Sequence, residues 1–577
     1  MKKLLVYLKA YRKESILAPL FKMLEASFEL FVPLVIAAIT DNGIKGGNVP
    51  YIVRMALLLV VLAVVGLICS LTAQYFSAKA AVGFAAKLKS ALFVHIESLS
   101  FREIDTLGTS TLITRMTSDI NQVQSGVNLV LRLFLRSPFI VFGAMIMAFT
   151  IDVKAALIFV VAIPLLAIVV FGIMLISIPL FRKVQGALDS VLGITRQNLT
   201  GVRVIRAFNK EQSEIESFDE KNDTLTGIQK FVGKISALMN PVTFIIVNGA
   251  IAALIWVGAI RVDEGILSQG EVIALVNYMS QILVELVKLA NLIITVTKAV
   301  ACGNRIQSIF EIKPSMAEGS RRYSVDSKDG YAVEFKNVNL CYNEGADNSL
   351  TGIDFSVKKG ETVGIIGGTG SGKSSLVGLI PRFYDATQGE VLVDGVNVNE
   401  YSFDELREHV GIVMQKAVLF KGTIRENLKW GRNDATDEEL WAAIDAAQAR
   451  EFVQTKDGGL DFEIAQGGKN LSGGQKQRLT IARALVRKPD ILILDDSASA
   501  LDYATDAKLR AAIAALPGNM TVFIVSQRTA SIMHADKIIV LDDGKIVGMG
   551  TQEELLENCE VYKEIYNSQF SRSEADC

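Results

Sequence analysis

Residues 361–375 read ETVGIIGGTGSGKSS, an apolar run that leads directly into a glycine-rich loop. The run predicts a buried β-strand, and the loop fits the pattern G-x-x-x-x-G-K-[ST]. Gly367, Gly372, Lys373 and Ser374 occupy the fixed positions of that pattern. Glycines allow backbone N–H groups to wrap a phosphate, and a following helix directs its positive end to the same place. The stretch therefore predicts an α/β domain that binds a nucleotide, whereas a chance glycine-rich turn would need neither the strand nor the helix.

Two side chains of this loop have predicted chemical roles. Lys373 should reach the β- and γ-phosphates of ATP, and the Ser374 hydroxyl should occupy a Mg²⁺ position. The predicted ATP-binding residues of the loop are Gly367, Gly368, Thr369, Gly370, Ser371, Gly372, Lys373, Ser374 and Ser375. ATP and Mg²⁺ are the ligands that follow from this pattern.

An acidic segment, ILILDD at residues 491–496, predicts the second half of the same site. A continuous aliphatic run is typical of a strand covered on both faces. Ligands bind beyond the carboxyl end of such strands in an open α/β sheet. Asp495 is therefore predicted to bind Mg²⁺, directly or through water. The alternative, an acid that caps the next helix, is weak beside a phosphate loop.

Long apolar stretches dominate the first 300 residues. Each is long enough for the roughly 20 residues that a bilayer core requires. Six membrane spans are predicted, near residues 16–40, 53–76, 128–150, 154–180, 237–260 and 271–298. The fold class predicted is thus an all-α six-helix transmembrane domain followed by an α/β phosphate-loop domain. A net charge of −2 over 577 residues gives no nucleic-acid-binding surface.

Basic residues are distributed unevenly between the connections. The short loops 41–50, 151–154 and 261–270 carry few of them. The N-terminus and the two long connections, 77–127 and 181–236, carry many. The positive-inside rule therefore predicts a multi-pass protein of the plasma or inner membrane, with both termini and the ATP-binding domain in the cytoplasm. The predicted domains are a transmembrane domain at 1–303, a linker at 304–330 and an ATP-binding domain at 331–570.

The most specific pattern is LSGGQKQRLTIARAL at residues 471–485. It resembles the signature of ATP-binding cassette (ABC) proteins, formed here by Leu471, Ser472, Gly473, Gly474 and Gln475. The resemblance implies that this signature acts in trans, on ATP held by an opposing cassette. The membrane half is similar to the six-span exporters of the superfamily, so that the resemblance covers nearly the whole chain. One cassette after one membrane domain resembles a half-transporter, which needs a second half.

Other positions match the family residue by residue. Tyr342 stands where the family stacks an aromatic ring on adenine, although an ordinary tyrosine at a strand edge is the alternative. Gln415 resembles the glutamine that senses Mg²⁺ and couples to the membrane domain. Asp502 resembles the aspartate of the D-loop, which faces the partner cassette. Segments 98–120 and 198–218 are similar to the cytoplasmic turns that press coupling helices onto the cassettes.

Two catalytic positions depart from the family pattern. Asp496 stands where most cassettes carry the glutamate that polarises the attacking water, and its side chain is one C–C bond shorter. Gln527 replaces the switch histidine, and a neutral amide cannot exchange a proton. A misplacement of about 1 Å can cost about 10²-fold in rate. Asp496 and Gln527 therefore predict a site that holds ATP and hydrolyses it slowly.

The functional prediction is one subunit of an ATP-driven ABC exporter in a lipid bilayer. Its substrate would be a drug, a lipid or a peptide, moved out of the cytoplasm or the inner leaflet. The two departures beside a complete signature favour a heterodimer over a homodimer. An ATP-gated channel or regulatory subunit that does not pump is the alternative. A soluble ATPase with the same signature is excluded by the six spans.

Charged residues interrupt the predicted spans. They are Lys22, Glu25, Glu29, Arg132, Arg136, Glu285 and Lys288. Charges at membrane depth are costly, and they face either a cavity or one another. Recognition of a charged or amphipathic substrate is one interpretation, and ion pairing between helices is the favoured one.

Overall fold

The computed structural model describes residues 2–322, 330–342 and 347–570. The chain forms two compact units. One comprises Met1–Ser98 and Leu107–Lys313, and the other comprises Leu99–Thr106 and Pro314–Cys577. Residues 323–329 of the predicted linker lie outside the described residues, and the predicted domain boundaries stay predictions.

Long α-helices build the first unit. In chain order the helices up to residue 311 are α1 (Arg12–Ala38), α2 (Val49–Glu97), α3 (Phe101–Leu107), α4 (Thr109–Thr114), α5 (Ile120–Leu133), α6 (Arg136–Ile151), α7 (Val153–Thr200), α8 (Val202–Ala207), α9 (Glu211–Ala237), α10 (Met239–Asp263) and α11 (Gln269–Glu311). Among the described residues, six continuous helical segments are long and apolar enough to cross a membrane. They are Lys3–Ile44, Val49–Glu97, Thr109–Ile151, Val153–Thr200, Glu211–Asp263 and Gln269–Glu311.

Polar side chains fix the ends of these helices, where backbone N–H groups lack partners within the helix. Asp152 caps α7 by accepting a hydrogen bond from the Ala155 N–H at 2.8 Å, and it pairs with Arg261 of α10. Ser268 and Glu271 form a capping box at the start of α11. These caps define where the chain turns between consecutive helices.

Charged side chains inside this unit pair with one another. Arg136 of α6 donates to Glu29 of α1 and to Glu285 of α11, each at 2.7 Å. The buried Glu285 carboxylate also accepts from Ser137 at 2.8 Å and from Lys288 at 2.7 Å. Three donors thus compensate the desolvation of one buried carboxylate. The pairing interpretation accounts for these four charges.

Within the described residues, the second unit combines three β-sheets, of six, four and two strands, with short helices. Its strands are β1 (Tyr331–Leu340), β2 (Leu350–Lys358), β3 (Thr362–Gly367), β4 (Gln388–Val393), β5 (Val396–Asn397), β6 (Val410–Val413), β7 (Gly422–Thr423), β8 (Glu463–Ile464), β9 (Ile491–Asp495), β10 (Thr521–Val525), β11 (Lys537–Asp542) and β12 (Lys545–Gly550). Its helices are α12 (Lys373–Gly378), α13 (Phe403–His409), α14 (Ile424–Lys429), α15 (Asp437–Ala446), α16 (Arg450–Gln454), α17 (Gly473–Val486), α18 (Tyr503–Ala514), α19 (Gln552–Asn558) and α20 (Glu560–Phe570).

The larger sheet positions the predicted site. Within the described residues its order is β12-β11-β3-β10-β9-β6, and β3, β10, β9 and β6 run parallel. Val525 is in register with Ile365 on one side and Asp495 on the other. The carboxyl ends of these strands therefore meet at one edge, where open α/β sheets bind their ligands. The predicted fold class, six apolar helices followed by an α/β domain, is confirmed.

Replacement of Glu285 by alanine tests the buried ion-pair cluster. The variant would leave Arg136 buried with Glu29 as its remaining carboxylate partner, and breaking a buried pair costs about 3–5 kcal/mol. We expect a large loss of unfolding free energy when the protein is denatured in mixed detergent micelles. The control is Glu311→Ala, because Glu311 pairs with Lys3 at an exposed site where both side chains are more than half exposed. Equal stability of the two variants would contradict this account.

Candidate nucleotide-binding site

The phosphate loop begins at the end of β3 and closes against the neighbouring backbone. Gly372 has φ 91°, a conformation that favours glycine, and a Cβ there would lie 2.8 Å from the Ser349 carbonyl oxygen. At Gly367 a Cβ would collide with the carbonyl oxygen of Leu541. Both glycines are therefore required by close backbone approach, as expected for a loop that wraps its ligand with N–H groups.

Lys373 lies at the centre of this loop. Its Nζ donates to the carbonyl oxygens of Gly367 at 2.9 Å and Gly368 at 2.6 Å. Burial lowers the pKa of Lys373, while the nearby carboxylates of Asp496 and Asp495 act in the opposite direction. The ammonium group is thus held among main-chain carbonyls, where a phosphate group can serve as a stronger, charged acceptor.

Asp495 ends β9 as a buried carboxylate. It accepts a hydrogen bond from Ser374 Oγ at 3.0 Å. Burial raises the pKa of Asp495, and the charge of Asp496 raises it further, while Ser374 and Lys373 lower it. A carboxylate in this position is stabilised by any cation that approaches it. The structure therefore brings together the hydroxyl and the carboxylate that the sequence assigns to Mg²⁺.

Asp496 follows in a backbone conformation that few residues adopt. Its φ is 45°, in the left-handed region, which aspartate tolerates better than most residues. Its N–H donates to the Val525 carbonyl at 3.0 Å, and its own carbonyl accepts from Ser499 Oγ at 2.8 Å. Gln415 Nε2 donates to its carboxylate at 3.2 Å. Asp496 is therefore fixed at both its backbone and its side chain.

A cavity of about 280 Å³ opens over this edge of the sheet. The predicted site residues that line it are Thr369, Gly370, Gly372, Lys373, Ser374, Ser375, Gln415, Asp495, Asp496 and Gln527. The main-chain carbonyl of Gln527 accepts a hydrogen bond from Gln569 of α20 at 2.8 Å, which fixes the backbone of this position. One cavity thus joins residues that lie more than 150 positions apart in the chain.

Several lining residues were not predicted from the sequence. They are Asn348, Ser349, Val525, Ser526, Asp543 and Gly544. The dipeptide Asp543-Gly544 forms the tight turn between β11 and β12, and the Gly544 carbonyl accepts from the Thr351 N–H at 2.8 Å. The Asp-Gly pair between two apolar runs predicts a hairpin turn. Its position beside the phosphate loop depends on sheet order, which the sequence pattern does not reveal.

A larger cavity, of about 590 Å³, lies at the other end of the same strands. Its lining includes Pro489, Asp490 and Thr521, which precede or begin β9 and β10. Ligands of open α/β sheets bind beyond the carboxyl ends of strands, not the amino ends. The smaller cavity over the phosphate loop is therefore the candidate nucleotide site.

The aromatic residue Tyr342 belongs to a chain of contacts within the second unit. Its hydroxyl donates to Ser375 Oγ at 2.8 Å, and burial raises its pKa. Its ring is perpendicular to that of Tyr384, with centroids 4.9 Å apart. The Tyr384 hydroxyl in turn donates to Asp105 Oδ2 at 2.8 Å.

A second contact of segment 99–106 lies beside the first. The centroid of the Phe101 ring lies 4.7 Å from that of the Phe383 ring. Segment 99–106 thus contacts the strand-and-loop region that holds Tyr342.

The signature residues lie outside the cavity over the phosphate loop. Ser472 and Gln475 form a capping box at the start of α17, and Ser472 and Gly473 are exposed. Within the described part of the chain, none of residues 471–475 lines the cavity over the phosphate loop. Asp502 caps α18 by accepting from the Thr505 N–H at 2.8 Å. Asp502 does not line that cavity either, within the described residues.

The donor set beside the phosphate loop fits Mg²⁺. Ser374 offers a hydroxyl, Asp495 a carboxylate and Gln415 an amide, and Mg²⁺ prefers such oxygen ligands. No group of three or more His, Cys, Asp or Glu side chains that could hold a metal ion occurs among the residues described. Nucleotide phosphates and water would therefore complete the coordination, as is usual for Mg²⁺.

Comparison with known sequences gives the family. The family model of the ABC transporter transmembrane region matches residues 15–286, and the model described as ABC transporter matches residues 350–499. The chain belongs to the ABC transporter family. It is a half-transporter of the exporter type, with six apolar helices before one ATP-binding domain.

Relatives of this ABC transporter match it over most of its length. An ABC transporter ATP-binding protein of Mycobacterium tuberculosis is 37% identical over 98% of this chain and 97% of its own. An ATP-dependent lipid A-core flippase of Desulfotalea psychrophila is 34% identical over 84% of each chain. A solved structure of a bacterial Atm1-family ABC exporter with ATP bound has a TM-score of 0.79, covers 97% of this chain and 98% of its own, and is 23% identical. That structure shares the fold.

Replacement of Asp495 by asparagine tests the electrostatics of the site. The pKa of Asp495 is raised in the folded state, so ionisation of this carboxyl group destabilises the fold. The destabilisation grows as pH rises from the pKa of the unfolded state through the pKa of the folded state. At pH 7 and without nucleotide, Asp495→Asn should therefore raise Tm, by roughly 2 °C. The further stabilisation that ATP and Mg²⁺ give the parent protein should be lost. Asp542→Asn, at the exposed end of β11, is the control, and a lower Tm for Asp495→Asn would contradict the account.

Proposed function

We propose that this chain is one subunit of an ATP-driven exporter that moves a small molecule, lipid or peptide out of the cytoplasm or the inner leaflet. The observation that carries this proposal is the contact chain from Tyr342 through Tyr384 to Asp105. It joins the position assigned to adenine to segment 99–106, which resembles a coupling turn of the family. Occupancy of the ATP site can thereby alter the position of that segment. The flippase relative supports a lipid among the possible substrates.

The residues of the ATP site divide the proposed chemistry among them. Lys373 and the N–H groups of its loop bind the β- and γ-phosphates, while Tyr342 packs against the base. Ser374, Asp495 and Gln415 would hold Mg²⁺, which neutralises phosphate charge when it is bound. The Asp496 carboxylate accepts a proton from the attacking water. Gln527 donates a hydrogen bond to phosphate through its amide.

Two features make hydrolysis at this site slow. The Asp496 carboxylate is one bond shorter than that of glutamate, and Gln415 already donates to it. Gln527 stays neutral, so it cannot supply the charge of a protonated histidine to the phosphate. The site therefore binds ATP and hydrolyses it slowly.

We infer that the working dimer contains a different second half. In ABC proteins the signature serves the opposing cassette. Here the signature, residues 471–475, is complete, whereas Asp496 and Gln527 weaken this chain's own site. A partner with glutamate and histidine at the matching positions would give one slow and one fast site. A purified dimer of this chain alone should turn over well below about 1 s⁻¹, the low end of ordinary enzyme rates. A faster homodimer would refute the heterodimer.

Transport into inside-out membrane vesicles tests the export proposal. With both termini and the ATP-binding domain cytoplasmic, as the basic connections indicate, ATP added outside such vesicles should drive substrate inward against a gradient. Lys373→Ala should abolish both ATP binding and uptake. Phe101→Ala should reduce uptake and leave ATP binding nearly unchanged, because it removes ring contacts with Phe383 and Tyr384 while Phe101 does not line the nucleotide cavity. Uptake that only follows the substrate gradient would instead indicate an ATP-gated channel.

Restoration of the longer carboxylate tests the slow site. Asp496→Glu should increase the steady-state ATPase rate of the purified protein, by up to about 10²-fold, because the base then reaches the water. Asp542→Glu adds the same methylene at an exposed position that does not line the cavity, and it should leave the rate unchanged. An unchanged rate for Asp496→Glu with ATP affinity preserved would show that the length of residue 496 does not limit hydrolysis.

A further inference from the structure

A short loop carries Gln527 from the end of β10 to a 3-10 turn at Thr529–Ser531. We call residues 526–529 the switch loop. At its start the Ser526 N–H donates to the Ile365 carbonyl of β3 at 3.1 Å, so the central sheet fixes this end of the loop. Gln527 itself is exposed and lines the cavity over the phosphate loop. The position of its amide therefore depends on what fixes the other end of the switch loop.

The side chain of Gln569, in the last turn of α20, holds that other end with three hydrogen bonds. Gln569 Oε1 accepts from the Thr529 N–H and from the Thr529 hydroxyl, each at 2.9 Å. Gln569 Nε2 donates to the Gln527 carbonyl at 2.8 Å. Thr529 is fully buried, so loss of Gln569 would take away the acceptor that its N–H and its hydroxyl share. One amide group thus binds the switch loop on both sides of Arg528.

The chemistry of this contact matches an amide at position 569. The Thr529 N–H can only donate, and the Gln527 carbonyl can only accept. An amide presents an oxygen to the first group and an N–H to the second, whereas the reversed orientation would place a donor against a donor. A carboxylate would serve Thr529 but would face the Gln527 carbonyl with a second acceptor. Glutamine therefore matches both groups, and the nearly isosteric glutamate matches one of them.

Helix α20 is anchored in the core of its unit. Tyr562 is fully buried in an apolar cluster that includes Ile532 and Val540. Tyr566 and Gln569 follow Tyr562 by about one and two helical turns, so the three residues share one face of α20. The buried part of that face fixes the helix, and its last turn reaches the switch loop. The core of the unit therefore determines where Gln569 holds the loop.

We propose that Gln569 is a positioning residue for ATP hydrolysis, which fixes the main chain of the switch loop so that Gln527 presents its amide to the γ-phosphate. Within the described part of the chain, Gln569 does not line the cavity over the phosphate loop, so it acts through Gln527 and not on the nucleotide. A displacement of about 1 Å can cost about 10²-fold in rate, so a small movement of the loop is enough. This inference rests on the proposed role of Gln527 at the phosphate.

Replacement of Gln569 by glutamate tests the contact, because it keeps the acceptor for Thr529 and removes the donor to Gln527. Single-turnover hydrolysis of radiolabelled ATP by the purified full-length protein should slow roughly tenfold in Gln569→Glu. The Kd for ADP, which has no γ-phosphate, should stay unchanged because the phosphate loop is intact. Asn567→Asp makes the same change from amide to carboxylate at an exposed position of α20, and it should leave both values unchanged. An unchanged rate in Gln569→Glu, or an equal loss in Asn567→Asp, would overturn the proposal.

A double-mutant cycle separates positioning from a loss of stability. Gln527→Ala should slow single-turnover hydrolysis at least tenfold, because about that much follows from loss of one donor to the developing charge. Adding Gln569→Glu to Gln527→Ala should have no further effect on the rate, since the two side chains then have no shared action to lose. A merely structural role of Gln569 would slow hydrolysis by the same factor in both backgrounds, and that result would overturn the proposal. Thermal unfolding of each variant monitors folding.

The same cycle distinguishes failure of this inference from failure of the proposed function. If Gln527→Ala slows hydrolysis and Gln569→Glu does not, the proposed role of Gln527 stands and the positioning role of Gln569 is refuted. If Gln527→Ala leaves the rate unchanged, the role of Gln527 at the phosphate is refuted, and the positioning role is refuted with it. A slower rate in both single variants, with no further loss in the double variant, supports both.

Discussion

Burial of the Asp495 carboxylate is the constraint on which the ATP-binding unit depends. β9 is apolar on both faces, so it must lie inside the sheet, and its last residue then meets the phosphate loop at the common carboxyl edge. Ser374 supplies one neutral hydrogen bond to this charge and Lys373 lowers its pKa, yet burial still leaves that pKa raised. The fold therefore holds a site that is electrostatically incomplete until Mg²⁺ and a nucleotide arrive.

In the membrane unit, by contrast, the buried charges are compensated by one another and not by a ligand. Arg136 bridges Glu29 and Glu285 across three helices, so that no charge of this cluster is buried alone. Glu29, Glu285 and Lys288 of this cluster also line a cavity of about 280 Å³.

Sequence patterns predicted the fold class and the residues that converge over the phosphate loop. Hydropathy and the G-x-x-x-x-G-K-[ST] spacing are properties of short stretches of sequence. They therefore identify six helices and one phosphate-binding turn without knowledge of the tertiary structure. The contact of Tyr384 with Asp105 could not be predicted, since it joins positions 279 residues apart through side-chain geometry. Asn348 and Asp543 were missed for a related reason, because sheet order alone places them in the cavity. The left-handed backbone of Asp496 likewise leaves no mark in the sequence.

The central claim is that this chain's own site retains ATP rather than consuming it. The most direct measurement loads the purified full-length protein with radiolabelled ATP and Mg²⁺, removes free nucleotide by rapid gel filtration, and identifies the bound nucleotide by chromatography over time. The account predicts that the retained nucleotide stays predominantly ATP over many minutes. Rapid conversion of the bound nucleotide to ADP would contradict it.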